Sequence, residues 1–291
     1  MSLSSPSDGA EMSGKVCLVT GASSGIGKAT AAALATLGAN VIMVSRDETR
    51  GRAARSDVMS ESKNQSVDLM TADLSSLASV RELAKGFGAR YPKLDVLVND
   101  AAVFTSKRIV TAAGLELMFA TNYLGPFLLT RLLIPRLEAA KPSRVINVSA
   151  PSSVMPVLDD LQGERKFGAI GSFGASKAAD LLFTYALARK LEGRGVAVNA
   201  YHPGIVRTNL VHGAPMAVRI ITGVLNVIVG VSPKRASQGL VELASSTRFE
   251  GMTGALIHDG KKMDAPFAGD TDAQEGLWRA SCELTGVPEG V

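Results

Sequence analysis

The chain has 291 residues, which is long enough for one large α/β domain or two small ones. A composition of 46% hydrophobic and 20% charged residues is that of a globular protein, and a net charge of +4 without a run of Lys and Arg argues against a nucleic-acid partner. Two cysteines imply no disulfide framework and fit a cytoplasmic location, and the three histidines have no metal-ligand spacing.

The first predicted strand and helix flank a glycine-rich turn. The apolar run 16–19 precedes Thr-Gly-Ala-Ser-Ser-Gly-Ile-Gly at 20–27, and the alanine-rich segment 28–37 follows. A strand, a glycine turn and a helix in this order begin a nucleotide-binding βαβ unit, where glycines let a pyrophosphate approach the amides at the helix start. The residues predicted to bind a cofactor in this turn are Thr20, Gly21, Ser23, Ser24, Gly25, Ile26 and Gly27.

Short apolar runs alternate with helical segments along the rest of the chain. Strands are predicted at 41–44, 67–70, 94–98, 144–149, 196–200 and 254–258. Helices are predicted at 48–62, 79–91, 114–140 and 173–191, with a kink or interruption at Pro126 and Pro135. This alternation predicts an α/β fold, a single doubly wound parallel-sheet Rossmann domain with helices on both faces.

No repeat or linker divides the chain. Residues 1–13 are rich in Ser, Pro and Gly and are predicted as a flexible tail without the apolar core of a signal peptide. We expect the Rossmann-type domain to span 14–265, with an apolar substrate lid at about 209–231, and residues 266–291 to form a C-terminal tail.

A series of motifs over residues 14–260 resembles the short-chain dehydrogenase/reductase family. These are the 20–27 turn, Asp73-Leu74, the segment 99–102, Asn122, the strand end at Ser149-Ala150, Lys177, and Pro203-Gly204 with Thr208. Segments 122–130, 181–184 and 277–286 most resemble the retinol-dehydrogenase-like branch. The resemblance implies a nicotinamide cofactor and an oxidoreductase.

The resemblance also implies roles by position around the cofactor. Asp73, followed by Leu74, would hydrogen-bond the adenine, and Asn99 with Ala101 would shape the strand end beneath the cofactor. Lys177 would hold the hydroxyls of the nicotinamide ribose.

Two further roles concern the reacting end of the cofactor. Asn122 would hold a water molecule in a proton relay, and Thr208, after Pro203 and Gly204, would contact the nicotinamide carboxamide. For Asp73 and Thr208 the alternative is a surface cap or turn residue.

The residues after the second strand favour NADP(H) over NAD(H). NAD binders place an acid there for the ribose 2′-hydroxyl, but this chain has Ser45 and then Arg46, whose guanidinium can pair with a 2′-phosphate. Asp47 weakens the argument, Lys28 near the turn strengthens it, and the alternative is that Arg46 is a solvated surface charge.

The catalytic pattern of the family is broken at two positions. The family's proton-exchanging Tyr, four residues before the Lys, corresponds to Phe173, and its substrate-binding Ser corresponds to Ala150. Ser149 lies one residue earlier in the strand and should face the opposite side. Asp100 and Ala102 are further departures.

Three explanations of these departures remain open: an oxidoreductase with another proton source, a silent or non-redox relative, and laboratory knock-out substitutions. The hydroxyls near enough in sequence to substitute for the Tyr are those of Ser152, Ser153, Ser172 and Tyr123. The candidate residues at the reacting centre are Asn122, Lys177, Phe173 and Ala150.

The segment 216–230 is more apolar than a surface loop normally is. It predicts either a lid over an apolar pocket or a patch that docks on a membrane or a second subunit, and its charge and length argue against a membrane span. We therefore expect an NADP(H)-dependent oxidoreductase acting on the carbonyl or alcohol of an apolar small molecule. The alternative is a silent or non-redox NADP-binding relative, such as an isomerase or cyclase, and a homodimer is expected from the resemblance.

Overall fold

The computed structural model describes residues 11–204, 206 and 231–291. The strands in these residues form one eight-stranded sheet in the order β3-β2-β1-β4-β5-β6-β7-β8, and only the last pair is antiparallel. This sheet confirms the predicted doubly wound Rossmann-type fold. The strands are β1 (Val16–Thr20), β2 (Asn40–Ser45), β3 (Val67–Thr71), β4 (Val96–Asn99), β5 (Ser143–Val148), β6 (Val196–Tyr201), β7 (Leu256–His258) and β8 (Lys261–Met263).

Helices cover both faces of the sheet. They are α1 (Gly25–Thr36), α2 (Glu48–Ser62), α3 (Leu77–Arg90), α4 (Leu117–Phe119), α5 (Gly125–Ala140), α6 (Ala169–Lys190), α7 (Pro233–Ser245) and α8 (Thr271–Thr285). One hydrophobic cluster joins the sheet to α3, α5, α6 and α8, and a second joins it to α1, α2 and α7. Because both faces are covered, β1 and β4 consist wholly of buried residues, as is typical of parallel sheets.

The long helix predicted at 114–140 starts later and is less regular than expected. Glu116 caps its first residues by accepting hydrogen bonds from the Met118 and Phe119 amides. A π-helical turn at Ala120–Leu124 separates α4 from α5, whose first turn contains Pro126. Of the kink or interruption predicted at Pro135, an interruption is excluded because α5 continues through this residue to Ala140, and a kink there stays a prediction.

The stretch Leu117–Ala140 is long and apolar enough to cross a membrane by length and composition, the single such stretch in the described part of the chain. Its mean hydropathy is 1.3, but 83% of its most apolar window is buried inside the protein. It packs between the sheet, α3 and α6, so the core of the domain accounts for its apolar composition.

The C-terminal segment, expected as a tail, contains α8 and joins the main core. Trp278 on α8 is only 2% exposed and packs against the rings of Phe127 and Phe183. The Arg131 guanidinium lies 4.6 Å from the Trp278 ring and donates to the Pro288 carbonyl at 2.7 Å. The antiparallel strand β8 was not predicted, since its three residues, Lys-Lys-Met, carry no strand pattern.

Candidate cofactor and active-site cleft

A cleft runs along the carboxyl ends of the parallel strands, where β1 and β4 lie side by side and the chain winds away in opposite directions. Such a switch point is where open α/β sheets bind ligands. Most of the residues predicted to form the site line this cleft: Gly21, Ser23, Ser24, Gly25, Ile26, Arg46, Asp73, Leu74, Ala101, Ala150, Phe173, Lys177, Pro203 and Gly204. Thr20, Gly27, Asn99 and Asn122 lie behind its wall.

The glycine turn between β1 and α1 has no room for side chains. Gly21 has a φ of +68°, and a Cβ there would lie 2.9 Å from the Ala101 Cα. A Cβ on Gly27 would lie 2.7 Å from the Gly21 carbonyl oxygen. Glycine at 21 and 27 therefore lets the turn pack closely against Asp100 and Ala101, and Gly25 and Ile26 at the start of α1 line the cleft, where helix amides can bind an anion.

Thr20 fastens the turn to the neighbouring strand instead of lining the cleft. Its buried hydroxyl oxygen accepts hydrogen bonds from the Asp100 amide at 3.0 Å and the Ala101 amide at 3.2 Å. Thr20 therefore positions the turn against the loop after β4, and its contact with a cofactor stays a prediction.

Two arginines face the cleft at the end of β2. Arg46 and Arg50 are exposed, and within the described residues neither guanidinium is ion-paired. The Asp47 carboxylate caps α2 by accepting from the Arg50 amide at 2.9 Å. Lys28, expected to assist here, instead pairs with Asp57 at 2.6 Å and is not part of the cleft lining.

Asp73 lies at the cleft wall after β3, next to Leu74. Its Oδ1 accepts hydrogen bonds from the amide and the hydroxyl of Ser75, at 2.9 and 2.7 Å. The Asp73 amide is itself bonded to the Ser79 hydroxyl at 3.0 Å. These contacts fix the carboxylate beside the cleft and commit only one of its two oxygens.

Asn99 belongs to a buried polar chain that joins strands to helices beneath the cleft. Its amide nitrogen donates to Thr130 Oγ1 at 3.1 Å and to Asn147 Oδ1 at 2.8 Å, and Asn147 donates to Thr184 Oγ1 at 2.9 Å. This network ties β4 and β5 to α5 and α6.

Asn122 lies in the π-helical turn and holds the loop that follows β4. Its Oδ1 accepts from the Val103 amide at 2.7 Å, and its Nδ2 donates to the Val103 carbonyl at 3.0 Å and to Ser176 Oγ at 3.1 Å. All these contacts are to protein atoms, so the side chain positions the loop and α6. The predicted water relay through Asn122 stays a prediction.

Lys177 reaches the cleft from α6 and is paired with a buried carboxylate. Its Nζ donates to the Val148 carbonyl and to Asp180 Oδ2, each at 3.0 Å. Burial raises the pKa of Asp180 to about 6 against the lowering effect of Lys177. Above that pH the ammonium therefore has a neutralising partner 3.0 Å away.

The reacting end of the cleft is apolar at the two positions where the sequence pattern breaks. Phe173 and Ala150 both line the cleft, and the Phe173 ring packs edge-on against Phe104 at 5.7 Å between centroids. The Ser149 hydroxyl donates to the Lys177 carbonyl at 2.8 Å. Ser149 and Ala150 both line the cleft, so the expected separation of the two residues onto opposite sides is not observed, and the Ser149 hydroxyl is bonded to the backbone of α6.

None of the hydroxyls considered as substitutes lies in the cleft lining. Tyr123 is buried in the core, and its Oη is hydrogen-bonded to Ser281 on α8 at 2.7 Å. Ser152 accepts from the Val154 amide outside the cleft. Ser153 and Ser172 also lie outside the lining residues. These four candidates are therefore poorly placed to exchange a proton in the cleft.

Two titratable groups in the cleft were missed as site residues. Burial raises the pKa of Asp100 to about 7, although Lys177 and a hydrogen bond from the Gly27 amide both lower it. The His202 ring lines the cleft near Ser149, and its pKa is lowered from 6.5 by burial and by His258. Two features of the sequence could have pointed to these residues: Asp100 departs from the family pattern, and His202 follows directly after the end of β6.

Part of the predicted site lies outside the described residues. This applies to Thr208 and to nearly all of the lid predicted at 209–231. Val206 and Val231, at the two ends of that segment, form a parallel bridge, and Val206 and Pro233 line the cleft. Across residues 11–204, 206 and 231–291, no group of three His, Cys, Asp or Glu side chains could hold a metal ion.

Comparisons with known proteins agree with this geometry. The family model for short chain dehydrogenases matches residues 15–217. Retinol dehydrogenase 13 from Homo sapiens is 38% identical over 288 residues, covering 96% of this chain and 86% of its own. A solved structure of an uncharacterized protein from Mycobacterium paratuberculosis superposes with a TM-score of 0.78, with 28% identity and 98% of each chain covered. The complex of Pseudomonas aeruginosa RhlG with NADP gives a TM-score of 0.69, 27% identity, and coverage of 86% of this chain and 96% of its own.

Proposed function

Because this chain belongs to the short-chain dehydrogenase/reductase family, in its retinol-dehydrogenase-like branch, we propose that it is an NADP(H)-dependent oxidoreductase with an altered catalytic site. The observation that carries the proposal is the cleft itself. A glycine turn without room for a Cβ opens onto the start of α1, at the switch point of a doubly wound sheet.

The choice of NADP(H) is supported by charge at the end of β2. Arg46 and Arg50 face the cleft, and the Asp47 carboxylate is occupied by the α2 cap. Guanidinium groups match a 2′-phosphate, whereas an NAD site would place an acid at this point. The NADP complex of RhlG, whose fold this chain shares, supports the same choice.

The bound nicotinamide would supply or accept the hydride at the reacting carbon. The substrate oxygen also needs a proton, and neither Phe173 nor Ala150 can exchange one. The titratable side chains that line the same cleft include Lys177, Asp100 and His202. We propose that the proton reaches the substrate from one of these groups directly or through water.

The substrate we propose is an apolar carbonyl or alcohol. The edge-on pair of Phe104 and Phe173 and the methyl of Ala150 make this end of the cleft apolar among the residues that the structure describes. The similarity to retinol dehydrogenase 13 supports the same class. A cytoplasmic location and a homodimer stay predictions from the sequence.

A second candidate function has an observation of its own. With Phe173 and Ala150 in the cleft, and the Ser149 hydroxyl bound to α6, the family's usual proton donor is absent from the described site. A protein that binds NADP(H) but is silent, or that isomerises or cyclises its substrate, fits this arrangement equally.

The test is NADPH oxidation with a panel of apolar aldehydes and ketones. The protein is compared with a variant carrying Phe173→Tyr and Ala150→Ser, and NADPH binding is measured on both by fluorescence titration. Turnover by the unmodified protein near that of the variant supports the oxidoreductase. Turnover by the variant alone supports the silent or non-redox alternative. If neither protein binds NADPH, both candidate functions are contradicted.

A further inference from the structure

Asp100 is an acid in the wall of the proposed cofactor site, beside the turn where phosphates are expected. Its backbone amide is bonded to Thr20 Oγ1 at 3.0 Å, which fixes the residue at the end of β4. Its carboxylate lies beside the first turn of α1, and interaction with the Gly27 amide lowers the pKa of Asp100 against the raising effect of burial. A Cβ on Gly27 would lie 2.7 Å from Asp100 Oδ2, so the contact is close.

This position conflicts with an ionised carboxylate when an anionic ligand is bound. The start of α1 offers amides and the positive end of the helix dipole, which favour one negative charge. Asp100 already interacts with the Gly27 amide. A pyrophosphate at the same turn would place like charges close together in a partly desolvated cleft, which disfavours the ionised acid.

Resting on the proposed NADP(H) site, we propose that Asp100 takes up a proton when the dinucleotide binds and thereby makes cofactor affinity depend on pH. The proton comes from solvent, and the neutral carboxyl group remains beside the glycine turn without repelling the phosphates. In the free protein burial raises the pKa of Asp100 to about 7, so the carboxylate is ionised above that pH and has a proton to take up when the dinucleotide binds.

Among the other charged groups near Asp100, Lys177 lowers the pKa of this acid. His202 is neutral above pH 7, because burial lowers its pKa below 6.5, so its charge does not change there. Asp180 has a pKa of about 6 and is already ionised beside Lys177 above pH 7. The remaining groups are the Lys28–Asp57 pair on α1 and α2, and Arg46, Asp47, Arg50 and Asp73 along the cleft.

The first experiment measures NADPH affinity between pH 6 and pH 9 by fluorescence titration. Three proteins are compared: the unmodified chain, Asp100→Asn, and Asp57→Asn as a matched control that removes an acid outside the cleft. If binding requires the uptake of one proton, the affinity for NADPH falls by up to tenfold for each pH unit above about 7. We expect this slope in the unmodified chain and in Asp57→Asn, and a much smaller one in Asp100→Asn.

The second experiment counts the proton directly. Calorimetric titration with NADPH at pH 8, in two buffers with different ionisation enthalpies, gives the number of protons taken up. We expect the unmodified chain to take up as much as one proton more than Asp100→Asn. Any proton that the 2′-phosphate of NADPH itself takes up or releases is the same for both proteins and cancels in this difference.

The outcomes separate this inference from the function it rests on. Equal pH slopes and equal proton uptake in the unmodified chain and Asp100→Asn overturn the role of Asp100 while leaving cofactor binding intact. Absence of NADPH binding at pH 6 in the unmodified chain overturns the proposed NADP(H) site and this inference with it.

Discussion

The pairing of Lys177 with Asp180 leads to a measurable prediction about the missing tyrosine. In the family pattern a Lys charge lowers the pKa of a Tyr four residues earlier. Here Asp180 Oδ2 lies 3.0 Å from Lys177 Nζ, so its charge offsets that effect. Phe173→Tyr alone should therefore give a phenol with a higher pKa than the same substitution combined with Asp180→Asn.

The size of the difference follows from distances. The Cβ atoms at i and i+4 on a helix lie roughly 6 Å apart, and we take a distance of the same size between the introduced phenol and Lys177 Nζ. Asp180 Oδ2 is then at most about 9 Å from the phenol. A unit charge at about 9 Å, with an effective dielectric constant of about 20, contributes about 2 kcal/mol, or a little more than one pKa unit.

The assay is absorbance of the tyrosinate form against pH, with the Phe173 protein as the baseline. The chain has four native tyrosines, and all of them titrate late because burial raises their pKa values. Tyr91, Tyr185 and Tyr201 are raised to about 12 and Tyr123 is raised further. Below about pH 10.5 the tyrosinate absorbance therefore comes from the introduced phenol and not from the native tyrosines.

Phe173→Tyr combined with Asp57→Asn is the control, because Asp57 lies on α2 outside the cleft. It should leave the phenol pKa where Phe173→Tyr alone puts it, and circular dichroism should report a folded protein for all variants. Equal phenol pKa values with Asp180 and with Asn at position 180 would refute the neutralisation of Lys177.

Three further predictions concern the turn, the acid beside it and the C-terminal helix. Gly27→Ala should weaken NADPH binding at least about tenfold, because the new methyl lies 2.7 Å from both Asp100 Oδ2 and the Gly21 carbonyl oxygen. Gly171→Ala, where nothing lies within 4 Å, is its control, and equal affinity of the two variants in fluorescence titration contradicts the cradle. The pKa of Asp100, raised from 3.8 to about 7, means that the folded protein holds a proton that the unfolded chain releases, so stability is lost as pH rises through this range. Between pH 5 and pH 8, the free energy of unfolding measured in urea should fall by roughly 2–3 kcal/mol more for the unmodified protein than for Asp100→Asn. An equal dependence of this free energy on pH in the two proteins would contradict the pKa shift. Trp278→Ala should lower the free energy of unfolding by about 3–5 kcal/mol, since it empties a buried site between Phe127 and Phe183. Trp278→Phe should cost less, and a loss below about 1 kcal/mol for Ala would mean that α8 is not part of the core.

Local patterns were enough for the sheet and for most of the cleft. Strands β1 to β6 follow from apolar runs, and the carboxyl ends of parallel strands meet at one edge. Residues directly after those ends, such as Gly21, Arg46 and Ala101, therefore reach the cleft as predicted. The start of the helix after β4 was misplaced, because its cap is the long side chain of Glu116, which the sequence did not mark as a cap.

Long-range contacts decided which predicted residues face the cleft. Thr20 and Asn122 turn to backbone groups in the loop after β4, and Asn99 turns to Thr130 and Asn147. Each partner is at least 19 residues away along the chain, so no local pattern reveals the bond. The same is true of Lys28, whose partner Asp57 comes from α2.

The sequence by itself determined the order of strands and helices, the glycine turn, and the presence of Phe173 and Ala150 where the family resemblance predicts polar groups, because these depend on residue identity and periodicity. Only the tertiary structure decided what surrounds the charges. It placed the Asp100 carboxylate beside the first turn of α1 and buried the i,i+3 pair of Lys177 and Asp180, and burial raises the pKa of Asp100 to about 7 and that of Asp180 to about 6. Desolvation depends on every element packed around a group, and that packing is a property of the whole fold.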